Sequence, residues 1–266
     1  MGICEIKGLT RDYGSGRGVF DLSFSIERGE VFGFLGPNGA GKTTTIRHLM
    51  GFLKPEKGYC AIGGKDCWKE RAEIQKTLGY IPGDMVFFDD MTGTEFLSFL
   101  AKYRKMKSNA RIKELLDRFE LNPGSKLKKM SKGMKQNVGI VAAFMHDPEI
   151  LILDEPTSGL DPLMQNRFIE LVLEEKGRGK TVLMSSHIFE EVERTCDRVA
   201  IIKSGKLAAL DAVEALKSAQ AKKYVVTLEN GGAAAAFAKE GLRLWTYPTI
   251  RLRWLCRTIS KSLYLL

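Results

Sequence analysis

The chain has 266 residues, of which 44% are hydrophobic and 27% are charged, so it can bury a sizeable core and is too apolar for a disordered protein. Its longest uncharged stretch, residues 31–41, is far shorter than the roughly 20 apolar residues that span a bilayer. The first residues also lack the apolar core of a secretory signal. We therefore expect a protein that is made and kept in the cytoplasm.

Charge and cysteine content narrow the class of protein further. Residues 217–266 contain nine Lys and Arg and two Glu, so most of the formal net charge of +9 lies there and the main body is nearly neutral. The five cysteines are scattered, odd in number and without a C-x-x-C pair, which indicates reduced structural thiols in a cytoplasmic protein. They are Cys4, Cys60, Cys67, Cys196 and Cys256.

In chain order, two alternating stretches come first, "GICEIKGLT" and "VFDLSFSIERGE", and they predict an antiparallel pair of strands. Continuous apolar runs follow, interleaved with helical patterns, which is typical of an α/β domain with a mostly parallel sheet. These runs are 31–36, 77–82, 149–154, 180–186 and 198–203.

Helices are predicted after Gly41 and over 94–103, 111–119 and 162–175. Thr94 before Glu95, and Pro162 after Asp161, are suitable residues for helix starts. No convincing strand lies between about residues 90 and 147, so we predict a helical insertion over about 88–147 in the α/β core. The residue composition and the apolar pattern change after Asp211. We therefore place the main domain at 1–215 and an extension of unassigned fold at 216–266.

The stretch "GPNGAGKTTT" fits the pattern G-x-x-x-x-G-K-[ST] between a predicted strand and a predicted helix, the setting that a P-loop requires. Backbone N–H groups of such a loop converge on phosphate oxygens, while Lys42 adds a positive charge and Thr43 a hydroxyl for Mg²⁺. We therefore predict a phosphate site at Gly36, Pro37, Asn38, Gly39, Ala40, Gly41, Lys42, Thr43 and Thr44.

Asp154 and Glu155 end the apolar run "ILILDEP". The carboxyl ends of parallel strands share one edge of a sheet, where ligands bind. Beside a phosphate site we assign Asp154 to Mg²⁺, held through water, and Glu155 to the general base that activates a water. The alternative, in which the two acids only cap the next helix, carries little weight once the P-loop is present.

His187 follows the buried run "KTVLMSS" and is expected at the same sheet edge. A hydrogen-bond donor there can hold a terminal phosphate and the attacking water, so we count His187 with Glu155 as catalytic. The remaining histidines, His48 and His146, are interpreted as structural. In "MSKGMKQ", Ser131 and Gly133 open a helix whose free N–H groups and positive dipole end suit an anion.

Taken together, these motifs resemble the nucleotide-binding subunits of ATP-binding cassette transporters over about residues 1–215. "GPNGAGKTT", "ILILDEP", "SGLD" and "SSH" occur in that family's order. The resemblance implies a P-loop NTPase core with a mostly parallel sheet, an N-terminal antiparallel β subdomain and an inserted helical subdomain. It also implies ATP and Mg²⁺ as cofactors, and ATP hydrolysis coupled to transport.

The resemblance assigns further roles in a head-to-tail dimer. Tyr13 would stack on adenine, and the loop 158–161, with Asp161 at the nucleotide, would cross the dimer interface. Ser131 and Gly133 would bind the γ-phosphate of ATP held by the second cassette, which is an identical chain or a close paralogue.

Two positions depart from the family's pattern. The common signature Leu-Ser-Gly-Gly-Gln is Met-Ser-Lys-Gly-Met here, and Lys132 adds positive charge near the expected phosphate, a variant that resembles exporter-type cassettes. Many members also have glutamine after the proline of "YIPGDM", where this chain has Gly83 and Asp84. Either Asp84 replaces a metal contact, or this loop only couples the site mechanically to a partner.

The leading hypothesis is therefore the ATPase subunit of an exporter whose membrane pathway is a separate polytopic subunit. That subunit would hold the cassette at the inner face of the cell membrane, and residues 83–106 are a candidate docking surface, with ordinary core packing as the alternative. The competing hypothesis is a soluble cassette ATPase that acts on ribosomes or nucleic acid. We disfavour it because such relatives carry two cassettes or a long coiled-coil insertion, and this chain has neither.

The basic, aromatic end of the chain, "LWTYPTIRLRWLCRTISKSLYLL", admits three interpretations. It is an accessory regulatory fold, a membrane-surface patch, or a non-native end produced by a shifted reading frame.

Overall fold

The computed structural model describes residues 2–88, 90–219, 222–226, 244–247 and 251–256. The chain divides into two compact units, residues 1–211 and 212–266. None of the helices within the described ranges is both long and apolar enough to cross a membrane.

Strands and helices alternate along the first unit. The strands are β1 (Cys4–Asp12), β2 (Gly18–Ile26), β3 (Val31–Leu35), β4 (Lys57–Ile62), β5 (Lys65–Asp66), β6 (Leu78–Ile81), β7 (Ile150–Asp154), β8 (Thr181–Ser186), β9 (Arg198–Lys203) and β10 (Lys206–Ala212). The helices are α1 (Lys42–Leu49), α2 (Arg71–Thr77), α3 (Gly93–Tyr103), α4 (Ala110–Arg118), α5 (Lys132–Phe144), α6 (Pro162–Gly177) and α7 (Phe189–Thr195), with a 3₁₀ turn at Leu127–Lys129.

The larger sheet has the strand order β10-β9-β3-β8-β7-β6, and its pairs β9-β3, β3-β8, β8-β7 and β7-β6 are parallel. Every residue of β7 and β8 is buried, as their continuous apolar runs predict. The carboxyl ends of β3, β7 and β8 therefore lie side by side at one edge. This confirms the predicted mostly parallel core.

The smaller sheet has the order β2-β1-β4-β5, and all of its pairs are antiparallel. Its inward-facing side chains share one apolar core with the larger sheet. Phe24 of β2 stacks on Phe32 of β3 with ring centroids 5.3 Å apart. This packing confirms the N-terminal antiparallel subdomain and places the end of β2 beside the start of β3.

The inserted helical subdomain contains α3, α4, the 3₁₀ turn and α5. Among the described residues between 90 and 147 there is no strand, only a single bridge between Thr92 and Lys126. The predicted start of α3 at Thr94 is wrong. Thr92 caps this helix, because its hydroxyl accepts from the Glu95 N–H while the Glu95 carboxylate accepts from the Thr92 N–H.

Ion pairs attach this subdomain to the core. Arg118 of α4 donates to both carboxylate oxygens of Glu174 on α6, at 2.7 and 2.6 Å. Arg111 pairs with Glu175, which is buried. Arg178 also donates to Glu175, at 2.9 Å. The contact between the two parts therefore depends on charged groups as well as on apolar packing.

The cysteines with described side chains are Cys4, Cys60, Cys67 and Cys196, all free and buried. Burial raises the pKa of Cys4, Cys60 and Cys196 to about 12. The thiolate is the reactive form, so these side chains are unreactive packing residues.

The second unit begins with α8 (Val213–Ala219). Its strands β11 (Lys222–Val226), β12 (Leu244–Tyr247) and β13 (Arg251–Cys256) form an antiparallel sheet in the order β11-β13-β12. The basic, aromatic sequence for which no fold was assigned thus contains two strands. The low-complexity stretch "GGAAAAFAKEG" lies outside the described residues.

Candidate active site

The predicted P-loop joins the end of β3 to the start of α1 and is pressed against neighbouring strands. A Cβ on Gly36 would lie 2.4 Å from the carbonyl oxygen of Ile202 on β9. One on Gly41 would lie 2.8 Å from Cγ1 of Val19, and Gly41 has a φ of +111°. Only glycine fits these two positions, which explains the spacing of the motif.

The amino end of α1 is open to an anion. Gly41 is its N-cap, and no side chain caps the helix. Its first N–H groups and the positive end of its dipole are therefore available to a phosphate.

Lys42 is buried beneath the loop. Its Nζ donates to the carbonyl oxygens of Gly36, at 2.6 Å, and Pro37, at 3.3 Å. It also forms an ion pair with Glu155, with Nζ 3.1 Å from Oε1. A phosphate oxygen can take the place of the two carbonyl contacts, because an anion is a stronger acceptor than a carbonyl group.

Asp154, the last residue of β7, has no exposed surface. Its Oδ1 accepts a 2.5 Å hydrogen bond from Ser185, and Thr43 is within hydrogen-bonding reach of the same carboxylate. Its Oδ2 is buried without a hydrogen-bond partner. Burial raises the pKa of Asp154, against the opposing effects of Ser185, Thr43 and Lys42. A buried carboxylate oxygen without a partner, beside a threonine hydroxyl, fits a hard divalent cation.

Glu155 follows in a left-handed conformation, with a φ of +49°. Its N–H donates to Ser185 Oγ at 3.0 Å, and its Oε2 lies 2.7 Å from Nδ1 of His187. A non-glycine residue in this region is strained, and such strain is concentrated at functional sites. The backbone turn carries the carboxylate from the buried strand towards the P-loop lysine and the histidine.

Ser185 is a site residue that the sequence analysis did not assign. Its hydroxyl accepts from the Glu155 N–H and donates to Asp154, so it orients both carboxylates. Ser185 is the first residue of the motif "SSH" and lies near the end of an otherwise mostly apolar strand. A buried polar residue in that position needs a hydrogen-bond partner, and this could have identified Ser185 from the sequence.

Gly83 is a second unassigned residue. A Cβ at this position would lie 3.1 Å from Asp154 Oδ2, so the loop after β6 passes directly beside the unpartnered oxygen. Asp84, the predicted replacement for a metal contact, has an exposed side chain. Its metal role stays a prediction.

Tyr13 lies in the tight turn between β1 and β2 and is 50% exposed. The Arg11 guanidinium lies 5.3 Å from the centre of its ring. The same hairpin approaches the P-loop, since the Gly18 carbonyl oxygen is 3.2 Å from the position of a Cβ on Gly41. The hairpin that carries this exposed ring thus contacts the P-loop through Gly18.

The signature residues lie apart from this cluster. Ser131 is the N-cap of α5 and accepts a 3.2 Å hydrogen bond from the Met134 N–H. Gly133 packs against Gly159, and Asp161 caps α6 by accepting from the Met164 N–H at 2.9 Å. In the part of the chain that the structure describes, no hydrogen bond or ion pair joins these three residues to the P-loop.

These observations define a class of protein. A glycine-rich loop between a buried parallel strand and a helix, with two acids and a histidine at the ends of adjacent strands, is the site of a P-loop ATPase. The inserted helical subdomain and the antiparallel sheet distinguish one branch of that class.

Comparison with known proteins identifies the branch. Residues 19–158 match the family described as ABC transporter. The bacitracin transport ATP-binding protein BcrA of Bacillus licheniformis is 41% identical over 208 residues, covering 77% of this chain and 68% of that protein. The linearmycin resistance ATP-binding protein LnrL of Bacillus subtilis (strain 168) is 36% identical over 238 residues, covering 88% and 76%.

A solved ATP-binding subunit of an ABC transporter is 34% identical to this chain, with a TM-score of 0.73, and the match covers 81% of this chain and 92% of that one. The chain therefore belongs to the ABC transporter family and is one of its ATP-binding, ATP-hydrolysing proteins. The family and the fold class predicted from the sequence are both confirmed.

Proposed function

We propose that this chain drives export through a separate membrane subunit, by closing as a head-to-tail dimer around two ATP molecules. The proposal rests on one observation: the groups expected to bind phosphate form two sets that do not contact each other within the described part of the chain. Glu155 contacts both the P-loop residue Lys42 and His187, whereas no hydrogen bond or ion pair among the described residues joins the helix start at Ser131 to these three. A second cassette, identical or closely related, would bring its own Ser131 and Gly133 to the ATP held here.

Each group has a defined task in this proposal. The P-loop N–H groups and Lys42 bind the phosphates, and Tyr13 stacks on adenine. Thr43 and Asp154 would hold Mg²⁺, which when bound neutralises charge on the phosphates. Glu155 accepts a proton from the attacking water, and His187 orients Glu155 and donates to the terminal phosphate.

The membrane partner would dock in a groove between the core and the helical subdomain. This groove has a volume of about 1090 Å³ and is lined by aromatic and apolar side chains, among them Phe52, Tyr80, Phe87 and Phe96. Beside it Val86 is 92% exposed and Tyr103 77% exposed. An apolar surface of this kind marks an interaction site.

Among the described residues that line the groove, the charged ones are Lys76, Arg104 and Lys105, all of them cationic. We therefore propose that its occupant is an apolar segment of the membrane subunit that carries a carboxylate. Docking there would hold the cassette, proposed as residues 1–215 with 216–266 as an extension, at the inner face of the membrane.

Two relatives support the outward direction. One is named for bacitracin transport and another for linearmycin resistance. A resistance protein has to keep a toxic compound out, and we propose the same direction for this chain.

Glu155→Gln gives the decisive test. The substitution keeps the shape of the side chain and removes its basicity, so ATP binds without being hydrolysed. Tagged Glu155→Gln protein is purified from detergent-solubilised membranes with ATP and Mg²⁺, and the co-purifying proteins are identified. Two cassettes with a polytopic membrane protein are expected. Recovery of ribosomes or DNA without a membrane protein would replace the exporter proposal by the soluble-ATPase hypothesis.

A further inference from the structure

The loop 155–161 is attached to the first turn of α5 by two side chains. Lys132 Nζ donates to Ser158 Oγ at 3.0 Å, and Gln136 Nε2 donates to the Pro156 carbonyl oxygen at 2.6 Å. The second bond is buried, and the first lies at the surface. The signature turn and the loop that begins at Glu155 are therefore one connected structure.

Backbone packing brings Lys132 into this contact. Gly159 has a φ of +81°, and a Cβ there would lie 2.9 Å from Cγ and Cδ of Lys132. A Cβ on Gly133 would lie 2.8 Å from the Gly159 carbonyl oxygen. The aliphatic part of Lys132 thus lies flat on the loop, and its ammonium group is directed to Ser158.

Ser158 is in turn connected to the catalytic carboxylate. Its N–H donates to the Glu155 carbonyl oxygen at 3.1 Å, which closes the turn that holds Glu155 in its left-handed conformation. A displacement of Ser158 therefore shifts the backbone of Glu155, and the Glu155 side chain contacts Lys42 and His187.

We propose that Lys132 is a positioning residue that couples the two ATP sites of the dimer. The inference rests on the proposed head-to-tail dimer, in which the terminal phosphate of the other chain's ATP approaches the start of α5. Lys132 then exchanges the neutral Ser158 hydroxyl for the phosphate, because an anionic acceptor attracts the ammonium group more strongly than a neutral hydroxyl does. The turn 155–158 loses its tether, and Glu155 takes up its working position only when the other site contains ATP.

The test is the dependence of the ATPase rate on ATP concentration, measured on the full chain with its copurified membrane partner. For the unaltered protein we expect a sigmoidal curve. Lys132→Ala should bring the Hill coefficient close to 1 and raise the rate at low ATP concentration about three- to tenfold, because the tether no longer holds Glu155 back, with ATP affinity of the separate cassette unchanged. Ser158→Ala should act in the same direction. The double variant should behave like Lys132→Ala, because both changes remove the same contact.

Two further variants test whether the effect is specific to the Lys132 side chain. Lys132→Arg retains a donor and should recover most of the cooperativity. Lys129→Ala removes a positive charge three positions earlier, on an exposed residue, and should leave the curve unaltered. Additive effects of Lys132→Ala and Ser158→Ala, or an unaltered Hill coefficient, would overturn the coupling role.

The dimer itself is tested separately by size-exclusion chromatography of Glu155→Gln protein with ATP. Dimerisation without coupling would overturn only the role of Lys132. A monomer under those conditions would overturn the head-to-tail proposal as well.

Discussion

Asp154 combines complete burial with a carboxylate oxygen that has no hydrogen-bond partner among the described residues. In the nucleotide-free protein this arrangement is unfavourable, because a buried charged group without full compensation destabilises the fold. Burial disfavours the charged form of Asp154, and for the same reason it raises the pKa of this carboxyl group. A cation that binds there would relieve this destabilisation.

Asp154→Asn should therefore raise the free energy of unfolding of the nucleotide-free protein by about 1 kcal/mol at pH 7. The pKa of Asp154 is higher in the folded state than in the unfolded state, so the cost is fully present above the folded pKa and disappears below the unfolded value of about 3.9. Urea denaturation at pH 7 and near pH 3 checks both points. A variant less stable than the unaltered protein at pH 7 would contradict this account.

His187 contacts Glu155 directly from the end of β8, the strand beside β7. His187→Ala should lower the rate of ATP hydrolysis about 100-fold, the usual cost of a lost donor to a developing charge. ATP affinity should change little, since the P-loop is untouched. Phosphate release and fluorescent-nucleotide titration measure the two quantities, with His146→Gln as the control. A large loss of affinity would assign His187 to binding instead of catalysis.

At the scale of an element, the sequence prediction and the structure differ on the residue at which α3 begins. Two threonines precede Glu95, and the local pattern S/T-x-x-E selects Thr92, because the capping box needs the acid three positions after the cap. Thr94 is exposed and lies inside the helix. A helix start at Thr94, the threonine next to the glutamate, is therefore two residues later than the observed cap.

Thr92→Ala should lower the free energy of unfolding by about 1 kcal/mol, because the Glu95 N–H loses its acceptor. Thr94→Ala is the matched control and should change it by less than half as much. Thermal or urea denaturation of both variants measures the difference. Equal effects would show that the cap at Thr92 contributes nothing.

Element bounds were predicted best where an apolar run is long and buried. The five strands of the parallel sheet that the sequence predicted were found within a residue or two of their predicted ends. Missed elements are short or partly exposed, such as β5 (Lys65–Asp66), α2 (Arg71–Thr77) and β10 (Lys206–Ala212). Their residues have weak periodicity, and they are held in place by neighbours that are distant in the sequence.

Across the whole molecule, His146 joins the segment that follows α5 to the start of β6. Its Nε2 lies 3.0 Å from the Leu78 carbonyl oxygen of β6, and its Nδ1 is buried without a partner. Burial, with Arg104 and Lys180 nearby, lowers the pKa of His146 to about 4, although the Leu78 hydrogen bond and Asp147 act in the opposite direction. The folded state thus requires the neutral imidazole.

Stability should accordingly fall as the pH decreases from about 6.5, the ordinary histidine value, to about 4, because the unfolded chain takes up a proton that the folded chain refuses. His146→Gln should flatten this part of the profile while keeping a donor for Leu78. The free energy of unfolding measured at pH 7, 5 and 4 gives the comparison. An equally steep loss in the variant would mean that other groups cause it.

The sequence by itself determined the fold class, the P-loop and the acids that follow β7, because each depends on local spacing or on a continuous apolar run. Only the tertiary structure decided that Ser185 orients both carboxylates, that Gly83 passes beside Asp154, and that Lys132 reaches Ser158. These contacts join residues from 26 to 71 positions apart, whose approach depends on how sheets and helices pack. Local pattern carries no information on that packing, since many arrangements bury the same apolar residues equally well.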